Sequence, residues 1–466
     1  MKAIYRMIIA VPSVIPTVMQ GRVDTWDHNR PLLSIVIPCY NYGRYISDML
    51  RSLEMQTFKD FEIIVVDDGS NEELTLRVLD DIRKKGTKVL RQRKLNVATA
   101  LNFGIRTAQG RYVCCVAADD RLEPTYVEKC LCLLESNPGV AIVYSLARTF
   151  GDENRIWITE PFDLRVLLEY NYICAAAVFR KSVWEHVGGF DEAIDGYEDW
   201  DFWLKAGKAG FRGRLIPEPL FDYRRHGATL NIRADWKRRD LTRRIRENHA
   251  DFYSQPERTK EVESSYRDVR VPKPFFNLSL KSQYRSSGEL KTVIIASARV
   301  ARKYLQTTST IVETDDRTCM ILATIEPEPR HPNGQSNLST HFYELDHFLD
   351  HYCHLDFLLN MISSRSVRLV VLWESVLAYE WVSAIKSDYT VSIINVIGAG
   401  EYVQLSAMKD RFIDLHLVLS DYAMRSLVDE FGVQSEKVQS VANVKSSDST
   451  SELTKVLTYA RTRAVT

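Results

Sequence analysis

Two pairs of adjacent carboxylates stand out in the chain, Asp67-Asp68 within Asp67-Asp-Gly-Ser70 and Asp119-Asp120 within Ala118-Asp-Asp120. Each follows a short apolar run, Phe61 to Val66 in the first case and Arg111 to Val116 in the second. Two acid pairs at one sheet edge repel unless a cation lies between them. A hard divalent metal bridging a substrate diphosphate meets that condition. Each pair alone has a plainer reading. Asp-Gly-Ser is common turn chemistry, and Asp119-Asp120 ahead of Pro124 suits a helix N-terminus. Their joint placement after two strands is what favours chemistry.

The elements that position them read as strand and helix in alternation. Leu33 to Ile37 is a buried strand ended by Pro38 and followed by Cys39-Tyr-Asn-Tyr-Gly43. Ile46, Met49, Leu50 and Leu53 share one helical face. Further strands are expected at 61–66, 87–90, 111–116 and 139–144, with helices between them. That spacing predicts a mostly parallel sheet with right-handed crossovers. Ligands of such sheets bind outside the carboxyl ends of the strands, so the loops after Ile37, Val66 and Val116 are the ones that matter. A basic stretch, Arg233 to Arg246, and a polar linker follow. Alternation resumes near Cys319 and predicts a second, smaller Rossmann-like α/β domain. The expected boundaries are an irregular leader at 1–30, a first domain at 31–235, a basic helix and linker at 236–290, and a second domain at 291–466.

The chain has 466 residues, enough for two or three domains, and 45% apolar with 26% charged residues is an ordinary globular composition. Disordered, collagenous and disulfide-scaffold classes are excluded. Lys+Arg and Asp+Glu are both 61, a balance that argues against bulk nucleic-acid binding. The eight cysteines form no C-x-x-C pair and read as buried thiols in a reducing, cytoplasmic compartment. The apolar stretch from Met7 to Met19, broken by Pro12 and Pro16, is too short to span a membrane. The Arg233–Arg246 stretch reads as a solvated helix face or as a peripheral contact with an anionic membrane surface.

Seven segments in order resemble family 2 glycosyltransferases. They are Ser34-Ile-Val-Ile-Pro-Cys-Tyr-Asn41, Phe61 to Ser70, Asn96 to Ile105, Gly110-Arg-Tyr-Val113 with Ala118-Asp-Asp120, Val187-Gly-Gly-Phe-Asp191, Tyr197-Glu-Asp-Trp200 and Tyr223-Arg-Arg-His226. The resemblance covers about residues 31–230. It implies the GT-A fold, a nucleotide-sugar donor (UDP by default), a saccharide or lipid-linked glycan acceptor, Mn²⁺ or Mg²⁺, and inversion at the anomeric carbon. By the same resemblance Pro38, Tyr40, Asn41, Asp67 and Asp68 would hold the nucleoside, and Asn96 and Asn102 would lie near base and ribose. Asp119 and Asp120 match the family's DXD segment, which would bind the metal and the donor ribose through either or both, with Ala117 where the common form has its first Asp. Glu198-Asp199 matches the ED segment, in which the Asp is the general base; without that context the pair reads as acids favoured by a helix dipole. His226 matches a position near diphosphate and metal. Trp200 and Trp203 serve equally as an acceptor stack or as core.

The second domain resembles, more loosely, the N-terminal lobe of a family 4 GT-B glycosyltransferase, through Ile413 to Asp421, Leu427, Gly432-Val433, Lys437-Val438 and Asn443. This implies an acceptor-binding module or docking surface. The alternative for the whole chain is a non-catalytic nucleotide-sugar- or glycan-binding remnant of a longer bifunctional enzyme.

Overall fold

The computed structural model describes residues 30–157, 159–227, 237–265, 292–297, 318–322, 342–345, 349, 354–365, 367–398 and 400–440. The leader, residues 233–236 at the start of the basic stretch, and the linker from 266 to 291 lie outside these residues. The described residues from 31 onward form one compact unit built on two sheets.

The first sheet comprises β1 (Leu33–Cys39), β2 (Phe61–Asp67), β3 (Lys88–Arg91), β4 (Tyr112–Cys115), β5 (Arg121–Leu122), β6 (Val140–Gly151), β7 (Ile156–Trp157), β8 (Val178–Arg180) and β9 (Arg212–Arg225). Their order is β3-β2-β1-β4-β8-β6-β9-β5, with β7 paired to β6. The interleaved helices are α1 (Ile46–Glu54), α2 (Glu73–Lys84), α3 (Val97–Thr107), α4 (Tyr126–Ser136), α5 (Leu164–Glu169), α6 (Lys181–Val187) and α7 (Glu198–Lys208). β1 runs parallel to β2 and β4, and β2 parallel to β3. This is the half that strand–helix alternation dictates. The other half is mixed, because β8 enters antiparallel to both β4 and β6.

Two local features shape the sheet's edge. The last rung between β1 and β4 is Val116 N–H to Val36 O, 3.1 Å. Pro38 falls on the β4 side just beyond it, so the missing N–H of proline costs no ladder bond. β9 pairs with β6 over a long stretch, but the register shifts around Pro217 and Pro219. Prolines cannot donate to the ladder, so the strand bulges there and re-aims its last five residues.

The second sheet holds β10 (Thr292–Ala296), β11 (Thr318–Leu322), β12 (Phe342–Glu344), β13 (Leu369–Trp373), β14 (Ser392–Ile397), β15 (Leu415–Val418) and β16 (Val438–Ser440). Every described pairing is parallel, in the order β12-β11-β10-β13-β14-β15-β16. The order reverses at β10, as in doubly wound Rossmann-like sheets. β10 lies ahead of Cys319, where alternation seemed to resume; its five residues abut a polar stretch and give no periodic signal of their own.

A buried charge cluster joins the two sheets. Glu128 on α4 pairs with Arg365 at 2.7 Å and accepts from the Tyr343 hydroxyl at 2.8 Å. Arg365 also donates to the Tyr343 hydroxyl at 3.1 Å, and Lys129 beside it pairs with Glu218. All five side chains are buried. The helix face that a two-domain reading would leave in solvent is therefore desolvated and paired.

Candidate active site

The loops after β1, β2 and β4 and the end of β9 converge at one edge of the first sheet. Asn41, with a left-handed φ of 57°, stitches the first two loops together. Its Oδ1 accepts from the Asn71 and Glu72 amides at 3.0 and 3.1 Å, and its Nδ2 donates to Asn71 Oδ1 at 2.8 Å. Gly69, at φ 75°, allows the chain of Lys94 to pass where a Cβ would stand 2.5 Å from the Lys94 nitrogen. That approach delivers Lys94 to Asp68 at 2.6 Å, joined by Gln92 Nε2 at 2.7 Å and the Leu95 amide at 2.9 Å. Asp67 accepts from the Ser70 amide at 2.8 Å and lies 3.3 Å from Arg91 Nε. Lys94 also sits 4.0 Å over the Tyr40 ring.

At the second acid pair the partners come from β9. Asp120 Oδ1 accepts from the Arg224 amide at 2.9 Å, and Arg224 Nε donates to the Asp119 carbonyl at 2.6 Å. Arg224 also reaches Asp48 at 2.9 Å. Asp119 Oδ2 lies 3.0 Å from His226 Nε2, and the His226 ring stacks on Tyr45 with centroids 4.8 Å apart. Burial, then the Asp119 charge, pushes the Asp120 carboxyl well above the usual range. The cations expected between the acid pairs are thus supplied largely by the protein itself, through Arg91, Lys94 and Arg224. Asp119 and His226 are a pair of donors of the kind a divalent ion shares with a diphosphate. Among the described residues no group of three or more His, Cys, Asp or Glu side chains is arranged to hold a metal alone.

The third acid pair begins α7. Tyr197 ahead of it has a left-handed φ of 68°. Glu198 is buried and accepts from the Gly196 amide at 3.1 Å. Asp199 is half-buried; Oδ1 accepts from the Trp200 amide at 2.8 Å and Oδ2 from Asn171 Nδ2 at 3.1 Å. Burial, together with the neighbouring Asp199 charge, pushes Glu198 up. Burial also pushes Asp199 up, against the pull of the Trp200 amide and Asn171. Burial, and after it the Glu198 carboxylate, push up the thiol of Cys115 at the end of β4.

Other residues singled out in the sequence do structural work. Asn96 caps α3 through the Thr99 amide at 2.9 Å and donates to the Glu192 carbonyl at 2.8 Å. Asn102 is buried and donates to Phe190 O at 2.9 Å and to Glu192 Oε1 at 3.0 Å. Its Oδ1 accepts from Trp184 Nε1 and the Phe190 amide, each at 3.0 Å. Both asparagines tie α3 to the Gly188–Glu192 turn. Trp200 and Trp203 are core, and Trp200 Nε1 donates to Leu167 O at 2.6 Å. Cys39, Cys114, Cys115, Cys130 and Cys132 are buried free thiols, as expected, with burial pushing Cys39 up to about 12. Arg224, Asn171 and Lys94 received no role from the sequence. Arg224 stands inside the quoted Tyr223-Arg-Arg-His226 segment, which was the available signal.

Comparison with known proteins decides the family. The family model for "Glycosyl transferase family 2" matches residues 34–189. The amylovoran biosynthesis glycosyltransferase AmsB of Erwinia amylovora is 32% identical over 207 residues, 41% of this chain and 68% of that protein. The chain belongs to glycosyltransferase family 2. A chondroitin synthase of Escherichia coli is 32% identical over 189 residues, 39% of this chain but 27% of the synthase. Among solved structures, S. aureus TarS 1-349 in complex with UDP-GlcNAc aligns with a TM-score of 0.38 and 21% identity, over 43% of this chain and 60% of that one. The family match covers the elements that carry Asp67-Asp68 and Asp119-Asp120, and Glu198-Asp199 and His226 lie beyond its end. No helix among the described residues is long and apolar enough to cross a membrane.

Proposed function

We propose that this chain is an inverting, metal-dependent glycosyltransferase acting in surface-polysaccharide assembly. It moves a sugar from a nucleotide-diphosphate donor, with uridine as the default base, to a saccharide or lipid-linked glycan acceptor. The observation that carries this reading is Asp199, half-buried, aligned by the Trp200 amide and Asn171, with its carboxyl pushed up by burial. A carboxylate raised toward the working pH is suited to general-base chemistry.

The acceptor oxygen attacks the anomeric carbon, the bond from that carbon to the diphosphate breaks, and the configuration inverts. The hydroxyl is far less acidic than a carboxyl, so Asp199 takes its proton only as the new bond forms, a transition-state effect. Glu198, buried against the Gly196 amide, holds the turn that presents Asp199. Asp119 and His226 would hold a Mn²⁺ or Mg²⁺ ion, whose charge stabilises the departing diphosphate. Asp120 keeps the loop on Arg224. Pro38, Tyr40, Asp67 and Asp68 form the nucleoside side, with Asn41, Asn96 and Asn102 bracing it from behind.

In this reading the catalytic body is the first domain at about 31–235, and the second sheet serves as a docking or acceptor-binding body rather than a second catalyst. Arg239, Arg243 and Arg246 of the helix Arg238–Asn248 are exposed on the side opposite the buried Leu241 and Ile245, a face suited to peripheral contact with the inner membrane surface. The test is transfer and donor hydrolysis with EDTA and with Mn²⁺ restored. Loss in chelator and recovery with metal are expected; full activity in EDTA contradicts the metal role. Ala117 favours a second reading, a binding protein without turnover, and the absence of donor hydrolysis under every metal condition would decide for it.

A further inference from the structure

The stretch after the first sheet, expected as a basic helix and linker, packs against the helix that opens with Glu198-Asp199. It forms α8 (Arg238–Asn248) and α9 (Ala250–Ser254). Leu241, Ile245, His249 and Phe252 recur at helical spacing along it, and all four are buried. The three apolar members join the core that holds Trp200, Phe202, Trp203, Leu167 and Leu168. A histidine in such a stripe needs a partner. It has Asp201: Nε2 lies 3.0 Å from Oδ1, which also accepts from Asn248 Nδ2 at 2.9 Å.

Burial works against ionisation of Asp201, but His249, Lys205 and Asn248 hold its carboxyl down at about 2. An ionised carboxylate only accepts, so His249 donates from Nε2. Its buried Nδ1 has no partner among the described residues, and a single ring nitrogen is at work. Asp201 lies two positions after Asp199 in the first turn of α7, and residues two apart on a helix do not share a face. His249 therefore grips a different side of the turn that carries Asp199. A second hold comes from α9. The last carbonyls of a helix have no partner within it. At the end of α5, Leu167 O accepts from Trp200 Nε1 and Leu168 O from the Tyr253 hydroxyl, each at 2.6 Å. Trp200 is the residue after Asp199. Asn171, whose Nδ2 holds Asp199 Oδ2 at 3.1 Å, stands three positions after Leu168.

We propose that His249 and Tyr253 are positioning residues for the reaction, fixing α7 against the end of α5 and so setting the Asn171–Asp199 contact. This rests on the reading of Asp199 as the base. Each acts through another residue, His249 through Asp201 and Tyr253 through Leu168. The catalytic body then runs on through Ser254, past the last strand of the first sheet.

The test uses the full chain with Mn²⁺ and follows hydrolysis of UDP-glucose, UDP-galactose and UDP-N-acetylglucosamine, in which water takes the acceptor's place. Tyr253→Phe removes one hydroxyl and is expected to lower kcat roughly 3–10-fold, with donor KM and calorimetric UDP affinity at wild-type values. His249→Leu is expected to cost more, and His249→Gln, whose amide can donate from the Nε2 position, to recover most of that loss. In the Asn171→Ala background Tyr253→Phe should cost little further, because the contact it serves is already gone. Hydrogen exchange over residues 167–173 and 197–201 should quicken in Tyr253→Phe and His249→Leu, a readout that needs no turnover. Melting temperatures establish that Tyr253→Phe and His249→Gln fold. Wild-type kcat in Tyr253→Phe or His249→Leu, a defect confined to KM, or a full Tyr253→Phe loss on top of Asn171→Ala overturns the proposal. If Asp199→Asn keeps wild-type hydrolysis, the base reading falls; if Asp199→Asn is inactive and these variants are unaffected, only the positioning role falls. If the wild-type chain hydrolyses none of the three donors, exchange decides, and unchanged exchange in both variants overturns the proposal.

Discussion

The two sheets of this chain share a plan and differ at their edges. At the first, Asp67, Asp68, Asp119 and Asp120 gather with Tyr40, Tyr45 and His226, and Glu198 and Asp199 open α7. At the second, Glu374 ends β13 with a left-handed φ of 46° and spends its carboxylate on the Gly398 amide at 2.7 Å. Ser375 and Ser420 there cap the helices that follow, through the Ala378 and Ala423 amides. The strand-end position alone therefore does not make a catalyst. What separates the edges is bonding capacity left over after the loops are built. Even at the first edge Asn41, Asn102 and Asp120 are committed internally, and Asp199, the Asp119–His226 pair and the Tyr40–Asp67–Asp68 side are what the site has to offer a substrate.

The sharpest way to break this contrast is at Asp199. Asp199→Asn should lower transfer by ~10²–10⁴-fold, with calorimetric donor affinity retained, and Glu374→Gln should leave turnover at the wild-type level. Wild-type turnover in Asp199→Asn would remove the base from the account. Glu198→Gln should cost less than Asp199→Asn, since Glu198 supports the turn.

The junction between the sheets gives the next largest effect. Arg365→Ala strands the Glu128 carboxylate in a buried site, which typically costs about 3–5 kcal/mol. Denaturant unfolding should show that loss, and wild-type Arg365 chain should unfold with the two sheets coupled. Replacing Glu128 and Arg365 together by Leu and Met should recover most of the stability. No loss in Arg365→Ala would mean that the sheets are held by apolar packing alone. For the same reason a chain cut before residue 275 is expected to lose stability, because it would expose the α4 face with its acid unpaired.

Protonation offers a smaller handle. Burial would raise Asp201, but His249, Lys205 and Asn248 outweigh it and hold it down at about 2. A depressed carboxyl stabilises the fold above its unfolded value and loses that contribution as pH falls toward the folded one. The loss should amount to about 2 kcal/mol between roughly pH 4 and pH 2, and Asp201→Asn should flatten it. Asp199 has the opposite sign, since its carboxyl is raised: ionisation is disfavoured in the fold, and transfer should rise as pH climbs through that raised value. Asn171→Ala removes a donor to the ionised form, so the acid limb of the pH–rate profile should move up, by less than one pH unit. An unmoved limb would show that Asn171 does not position the base.

Much of the first sheet was legible because its parallel half is local: each strand, helix and polar loop follows in sequence, and apolar runs such as Leu33 to Ile37 mark them. β8 and the long β6–β9 pair were not, since their partners are set by tertiary packing and by the Pro217–Pro219 bulge. At the site, residue types identified the acids, but not which of them are consumed. That Asp68 belongs to Lys94, and Asp120 to Arg224, depends on loops that approach each other across 26 and 104 positions of chain. The Glu128–Arg365 pair, 237 positions apart, has no local signature at all.

In the proposed function the donor sits at the first sheet's edge, on Asp119 and His226, and not on the second. Isothermal titration of UDP in Mn²⁺ tests it most directly, on the wild-type chain, Asp119→Asn and Glu374→Gln. The account predicts saturable, one-site binding that Asp119→Asn weakens at least tenfold and Glu374→Gln leaves alone. Binding that survives Asp119→Asn and is lost in Glu374→Gln would place the donor on the other sheet and contradict it.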